Sequence, residues 1–347
     1  MDKVSVPFSS KKKKKKWTKN DWILLGMAGI SLVFLGVFAY IPMGGVILAF
    51  KDGNNKLNVF KAITQSKFVG FENFVEFFHD QKFYDVLSNT LGLNLLRLVI
   101  CFPMPIIFAL LLNEVKHRRF KKVIQSISIF PHFLSWVVFG GLIVAMCDMT
   151  TGIFNPILDA LGLSSEDNPV NLLTSDYFWG LIIISGLIKG VGWGSIIYLA
   201  AITGIDPTLY EAAEIDGANR FQRMFRITLP LISGTITIYL LLQISGLLNN
   251  SFEQFYMLQN AANISRSEVL ATYIYKQGII QRKYSYTSAM GLFESFCGLV
   301  LLLTSNFVSK KISGRGLYQW VLLLKPQERK RIIVIEWLHS ITSIMLF

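Results

Sequence analysis

The sequence predicts an all-α membrane protein with six transmembrane helices, and three observations lead to this fold class. The 347 residues are 52% hydrophobic and only 16% charged, with a mean hydropathy of +0.47, which excludes an ordinary soluble domain. Six apolar runs each reach the roughly 20 residues that a helix needs to cross a bilayer. The segments that connect these runs are alternately rich and poor in lysine and arginine.

The six predicted spans differ in their internal signals. They lie near residues 22–49, 85–112, 123–146, 177–202, 229–248 and 287–308. The first run is too long for the apolar part of a secretory signal and lacks a clear cleavage site, so we interpret it as an uncleaved span. Proline removes a helical hydrogen bond, so Pro103 and Pro105 predict a kink in the second span. Pro131, beside His132, predicts a break in the third span for the same reason.

Glycine recurs in the fourth span. Gly186, Gly190 and Gly194 stand four residues apart, with Gly192 between them. Small residues at this spacing allow two membrane helices to pack backbone to backbone, so we expect the stripe to be a helix–helix contact. No strand precedes the glycines and their flanks are apolar, which argues against a nucleotide-binding loop.

Charge predicts the orientation of the chain. Of the 34 lysines and arginines, 23 lie in the segments 1–21, 113–122, 203–228 and 309–347, and nine lie in 50–84, 147–176 and 249–286. Cytoplasmic loops carry the excess of these residues, so the pattern predicts a multi-pass membrane protein with both termini in the cytoplasm. The basic run 11–16 is expected to meet anionic membrane lipid, and nucleic acid is not an expected partner.

The chain divides into three predicted segments. A basic cytoplasmic tail covers residues 1–20, a transmembrane domain covers 21–317, and a cytoplasmic C-terminal tail covers 318–347. The three cysteines have no CxxC spacing and the four histidines are scattered, so no metal site is predicted. No GxxxxGK[ST] pattern occurs, so the chain is expected to have no ATP site of its own and to be no enzyme.

A polar segment, residues 204–230, connects the fourth and fifth spans on the predicted cytoplasmic side. Asp206 and Pro207 predict a helix start, because an N-cap acceptor precedes proline at the first helical position. Gly217 permits a sharp turn, after which a second helix carries three arginines. The fixed positions of the segment are Glu211, Ala212, Ala213, Gly217, Ile227, Leu229 and Pro230. A helix–turn–helix of this kind is a surface suited to binding a partner.

This pattern resembles the EAA loop of importer-type ABC permeases, and we call residues 204–230 the EAA loop. Four further stretches resemble the oligosaccharide and polysaccharide branch of that family: ALLLNEVKHRRFKKVIQSISIFPHFLSWVV at 109–138, FEQFYMLQN at 252–260, EVLATYIYKQGI at 268–279 and YSYTSAMGLFES at 284–295. The likeness covers roughly residues 20–317 and is nearest to the larger maltose-type permease. It implies the type I ABC importer permease fold with a cytoplasmic coupling helix. The tail 318–347 is atypical of that family.

The resemblance also implies partners and a mechanism. A dimeric cytoplasmic ABC ATPase would bind ATP and magnesium and hold the EAA loop, so no cofactor is expected in this chain. A second permease subunit, expected to be a different chain, would complete the pore, and an extracytoplasmic solute-binding protein would deliver the cargo. The implied function is import of a carbohydrate, an oligosaccharide, across the bacterial plasma membrane by alternating access. The alternatives are an ABC permease for a non-sugar solute and an ion-coupled secondary transporter, although the inverted repeats typical of the latter are not evident.

Polar groups inside the spans are the candidate substrate contacts, because such groups are costly in a bilayer. The family precedent favours the later spans, and the candidates are Gln243, Asn249, Asn250 and Glu294, with Tyr239 as an aromatic neighbour of the sugar. The other interpretation is that these groups satisfy one another between helices. Arg97 and Lys189 lie near mid-span, and for them pairing with a carboxylate or with backbone carbonyls is the alternative. His132 is interpreted as a structural, hydrogen-bonded histidine rather than a titrating one.

Overall fold

A computed structural model describes residues 18–56, 58–162 and 169–313 of the chain. These residues are mainly helical, and the one strand-like pairing among them is an isolated bridge between Lys51 and Phe68. They divide into two compact units, residues 18–45 and residues 46–313. The predicted tail 318–347 and most of the tail 1–20 lie outside the described residues.

Seventeen α-helices are present in the described residues. In chain order they are α1 (Lys19–Leu35), α2 (Ile41–Met43), α3 (Val59–Gln65), α4 (Glu72–His79), α5 (Gln81–Ile100), α6 (Pro103–Asn113), α7 (Arg118–Ile129), α8 (Trp136–Met146), α9 (Phe154–Ala160), α10 (Ser175–Thr203), α11 (Pro207–Ile215), α12 (Arg220–Arg223), α13 (Leu229–Ser245), α14 (Phe252–Leu258), α15 (Ile264–Ser267), α16 (Leu270–Tyr275) and α17 (Tyr284–Ser313). Turns of 3₁₀ helix lie at Gly44–Phe50 and Phe130–Phe133, and π-helical turns lie at Gly36–Tyr40, Met224–Thr228 and Lys276–Ile280.

The predicted all-α fold with six spans is confirmed. Five helical stretches are long and apolar enough to cross a membrane: Leu25–Phe50, Gln81–Asn113, Ser175–Thr203, Arg220–Ser245 and Tyr284–Lys311. The sixth consists of Arg118–Phe133 and Trp136–Met146, which meet at an angle of 99°. The break follows Pro131, as the sequence predicts, and α8 restarts because the Ser135 hydroxyl accepts a hydrogen bond from the Val138 amide at 3.3 Å.

Helix α10 is the centre of the unit 46–313. It packs against α6 and α7, and a further pair is formed by α13 and α17. Near the EAA loop an apolar core joins α6, α10 and α13 through Leu110, Tyr198, Ile202 and Ile232. Toward the other end of the spans a second core joins α4, α5, α16 and α17, and a third joins α5, α10 and α14. The first and third cores pack α5, α6, α13 and α14 against α10, and the second core packs α4, α5, α16 and α17 together.

The glycine stripe of α10 is placed differently from the prediction. Gly190 has open space around it, and Gly194 faces the ring of Pro105. The backbone contact is made instead by Gly192, where an added Cβ would overlap the carbonyl group of Ser128 and lie 2.7 Å from the Ile129 amide nitrogen. The expected helix–helix contact therefore exists between α10 and α7, but it uses the glycine on the other side of the helix.

Candidate functional site

The first helix of the EAA loop begins as predicted. The Asp206 side chain accepts a hydrogen bond from the Thr208 amide at 3.0 Å, and Pro207 is the first residue of α11. That hydrogen bond lowers the pKa of Asp206 below its ordinary value. Helix α11 ends before Gly217, whose φ of +77° lies in the left-handed region that glycine adopts without strain. The chain turns sharply at this glycine, which lies between α11 and α12.

The second half of the EAA loop is closed by its own side chains. Asn219 and Gln222 cap α12 reciprocally, each side chain bonding the backbone amide of the other at 2.8 Å. Arg223 donates to Glu214 across the turn at 3.0 Å. The hydroxyls of Tyr210 and Thr228 lie 2.9 Å apart. The Arg223–Glu214 contact ties α11 to α12, and the Tyr210–Thr228 contact ties α11 to the residue before α13. Neither contact was predicted from the sequence.

The predicted coupling residues lie on an accessible surface. Glu211, Ala212, Gly217 and Pro230 are exposed, and Ala213, Ile227 and Leu229 are half-buried. Four large apolar side chains of the same loop are also exposed: Leu209 at 44%, Ile215 at 88%, Phe221 at 69% and Phe225 at 58%. Small residues beside exposed apolar ones form a surface that a partner can approach closely, and such patches mark interaction sites.

A cavity of about 330 Å³ lies among α5, α6, α10 and α13, and we call it the central cavity. Gly186, Gly190 and Gly194 line it, so the stripe provides the space of the cavity. Its polar lining comes from amide, hydroxyl, imidazole and guanidinium groups, and no aspartate or glutamate of the described residues lines it. A site of this composition can donate and accept several hydrogen bonds while its aromatic side chains cover an apolar face of a ligand.

Three of the five predicted substrate contacts line the central cavity: Tyr239, Gln243 and Asn249. Asn250 does not line it. Its side chain is 1% exposed and exchanges hydrogen bonds of 3.0 and 3.2 Å with the Asn94 amide, which agrees with the alternative that polar groups satisfy one another. Glu294 lies half-buried on α17, away from the cavity lining.

Apart from Tyr239, sequence reasoning missed the aromatic side chains of the cavity. The His132 imidazole stacks on the Trp193 indole with ring centroids 4.4 Å apart and an interplanar angle of 2°. Tyr198 packs edge-on against Tyr239 in the same cavity. Trp193 lies between Gly192 and Gly194, and a large aromatic residue within a glycine-rich stretch was the sequence signal that could have indicated a cavity wall. The sequence predicted a structural role for His132 and did not indicate that this residue lines the cavity.

Lys189 has a structural environment. Its ammonium group donates to the backbone carbonyls of Pro131, His132 and Leu134, the last by a very short contact. It also lies 5.2 Å from the centre of the Trp136 ring. Lys189 therefore supplies a donor to the carbonyls at the break in the third span. This environment agrees with the alternative that the sequence left open for Lys189, pairing with backbone carbonyls.

A second polar cluster stabilises the opposite end of the spans. The Asp80 carboxylate accepts hydrogen bonds from the hydroxyls of Tyr273 and Tyr286 at 2.9 and 2.8 Å. Burial opposes the charged form of Asp80, but these bonds outweigh it and hold its pKa below the ordinary value. Burial raises the pKa of Tyr273 to about 12. Nearby, the buried Glu268 pairs with Lys82 and Lys276 at 3.1 and 3.0 Å.

Six membrane spans, a cavity among them and an accessible helical loop at one end define a membrane transport subunit. The chain belongs to the family described as binding-protein-dependent transport system inner membrane component, which matches residues 103–315. It is therefore a multi-pass plasma membrane protein and a permease subunit of ABC importers, a component that is not itself catalytic.

Relatives over nearly the whole chain agree with this family. Protein LplB of Bacillus subtilis is 40% identical over 86% of this chain and 92% of its own. The polygalacturonan/rhamnogalacturonan transport system permease protein YteP of the same organism is 38% identical, over 90% of this chain and 96% of its own. A crystal structure of a bacterial alginate ABC transporter, in complex with a periplasmic protein that holds an alginate pentasaccharide, matches with a TM-score of 0.76. The identity in that match is 36%, over 86% of this chain and 98% of the other.

Proposed function

We propose that this chain imports an oligosaccharide through the central cavity, driven by an ATPase that is a separate polypeptide. The observation that carries the proposal is the placement of the EAA loop, which is accessible and continues into α13, a wall of the cavity. The names of two relatives, which refer to polygalacturonan and alginate, support a carbohydrate cargo. The chain itself carries no P-loop sequence, which supports ATP and magnesium being bound by the partner.

The cavity chemistry suits a sugar. Gln243 and Asn249 offer amide groups to sugar hydroxyls, and Tyr239 with the stacked pair His132 and Trp193 offers flat faces to a pyranose ring. The remaining candidates, Asn250 and Glu294, stay proposed substrate contacts only for a conformation in which the cavity is rearranged. A non-sugar cargo is the competing outcome, and the transport assay below distinguishes the two.

The proposed transporter contains four kinds of subunit. A cytoplasmic ATPase dimer holds the EAA loop, a second and different permease chain completes the pathway, and a solute-binding protein delivers the sugar from outside. The excess of lysine and arginine on the EAA-loop side of the spans supports placing that side, and both termini, in the cytoplasm. Closure of the ATPase on ATP then moves the EAA loop, and the spans around the cavity alternate between outward and inward openings.

Two substitutions in the EAA loop test the proposal. Glu211→Lys reverses a charge on the accessible surface, and Gly217→Pro forbids the positive φ of the turn. We expect both variants to insert into the membrane but to lose the ATPase on affinity purification and to lose oligosaccharide uptake in proteoliposomes. Glu76→Lys, the same charge reversal on exposed α4, is the control and should keep both. Retention of the ATPase and of uptake by both loop variants would contradict the proposed coupling.

A further inference from the structure

One cation in the central cavity, Arg97, has no partner among the residues that the structure describes. Arg97 is the middle residue of the span Gln81–Asn113 and lines the cavity. Within residues 18–56, 58–162 and 169–313, its guanidinium makes no ion pair and no hydrogen bond. No carboxylate of these residues lines the cavity either. A charged side chain at this depth is costly and is retained for a function or for a pairing.

The other cation near the middle of a span, Lys189, has partners within the fold. Lys189 donates to three backbone carbonyls and lies against the Trp136 ring, so its charge is used within the fold. Arg97 lies in a bilayer-spanning segment of the same unit, yet its five N–H donors are directed to no acceptor in the described residues. The pairing that would explain Arg97 as structural is therefore missing from the part of the chain that the structure describes, and there the guanidinium remains available to a ligand.

We propose that Arg97 binds a carboxylate of the cargo, so that the transported sugar is an acidic, uronate-type oligosaccharide. This inference rests on the proposed sugar transport. A guanidinium is planar and matches a carboxylate with two parallel hydrogen bonds, which are stronger than bonds between neutral groups. The neutral amides of Gln243 and Asn249 in the same cavity bind the hydroxyls, and the face of Trp193 covers a ring. A neutral sugar would leave the Arg97 charge without a partner among the described residues of the cavity.

The competing explanation is that Arg97 pairs with a carboxylate of the second permease subunit. In that case its role is assembly, and its removal would affect every cargo equally. The two explanations differ in one measurable quantity, the ratio of transport of an acidic sugar to that of a neutral sugar of the same length. Because the same solute-binding protein is used with every variant, its own selectivity cancels from the comparison of these ratios.

The test uses the complete transporter in proteoliposomes with two probes, trigalacturonate and the neutral trisaccharide obtained by reducing its carboxyl groups. We expect the intact transporter to favour trigalacturonate, and Arg97→Gln to lower that preference by about tenfold or more, as loss of charge-assisted hydrogen bonds predicts. Arg97→Lys should recover part of the preference, since it restores the charge without the planar fork. Gln243→Leu is the matched cavity control and should lower transport of both probes together.

The outcomes separate this inference from the proposed function. If the intact transporter moves the neutral trisaccharide as well as or better than trigalacturonate, or if Arg97→Gln lowers both equally, the carboxylate role of Arg97 is wrong while sugar import stands. Release of the second permease subunit from Arg97→Gln on size-exclusion chromatography would assign the residue to assembly and overturn the inference. If neither probe is transported and neither stimulates ATP hydrolysis, sugar import itself fails and the inference fails with it.

Discussion

Substituting the two neighbouring glycines of α10 by alanine should have opposite effects on stability. Gly190 has no atom within 4 Å of an added Cβ, because it lines the central cavity. At Gly192 the added Cβ would overlap the carbonyl of Ser128 and lie 2.7 Å from the Ile129 nitrogen, both main-chain groups of the α7 end of the third span. A backbone cannot rotate away as a side chain can. Helices α7 and α10 would have to separate by roughly 1 Å in an interior that is close-packed.

The magnitudes follow from two opposing effects. Alanine is favoured over glycine in a helix interior by about 1 kcal/mol, so Gly190→Ala should raise the free energy of unfolding by up to about that amount. Gly192→Ala gains the same helix preference, but overpacking a filled contact costs typically about 1–3 kcal/mol. Since the contact is made with backbone, we expect the upper part of that range and a net loss of about 1–2 kcal/mol.

The assay is thermal unfolding of both purified variants in one detergent, followed by intrinsic tryptophan fluorescence. The midpoint of Gly192→Ala should fall by a few degrees, and that of Gly190→Ala should stay level or rise. A larger residue, Gly190→Leu, should then block uptake while keeping the midpoint, because it fills the cavity rather than a helix contact. If Gly192→Ala is as stable as the unsubstituted chain, the assignment of the α7–α10 contact to this glycine is wrong.

Three further predictions concern polar contacts. Lys189→Met should lower the free energy of unfolding, followed by thermal unfolding in detergent, by about 2–4 kcal/mol, because three carbonyls at the span break lose the ammonium donor. Lys189→Arg should recover part of the lost stability in the same measurement. Arg223→Glu should weaken ATPase coupling, and the charge swap Arg223→Glu with Glu214→Arg should restore it. In chemical unfolding the free energy of unfolding should change by less than about 1 kcal/mol, because Glu214 is 73% exposed. Because its pKa is lowered in the folded state, Asp80 should stabilise the fold at neutral pH and lose this effect as the pH falls through that pKa. Because its pKa is raised, Tyr273 should lose its stabilising effect as the pH rises from about 10 toward about 12. Asp80→Asn should flatten the acid limb of a stability profile, and an unchanged limb would exclude this group as its cause.

Features that depend on local chemistry were predictable from the sequence. The start of α11 at Pro207, the turn at Gly217 and the break after Pro131 are all present, since proline and glycine restrict or free the backbone wherever they stand. The apolar runs predicted the spans, because the thickness of the bilayer fixes the length of a membrane-spanning helix. These inferences need no knowledge of what packs against the segment.

Features that depend on the neighbour of a helix face were not predictable. Periodicity placed Gly186, Gly190 and Gly194 on one face correctly, but it could not say whether that face met a helix or a cavity. For Asn250 the sequence left structural pairing and substrate contact equally open, and its amide exchange with Asn94, which is 156 residues away in the chain, is visible only in the fold. The roles of these residues are therefore set by tertiary packing, which local patterns do not encode.

The connection between the EAA loop and the central cavity is short because the two helices that flank the loop are also cavity walls. Helix α12, the π-helical turn after it and α13 form one helical stretch from Arg220 to Ser245. This stretch carries Gln243, which lies roughly 20 Å along the axis from the end of the loop at a rise of about 1.5 Å per residue. Helix α10 enters the loop from the other side, and α7 is held to it through Gly192. The 99° break then separates α7 from α8, so α7 can follow α10 while α8 need not. If a partner ATPase moves the loop as proposed, the displacement reaches two cavity walls through these helices, and we expect the break in the third span to absorb part of the movement.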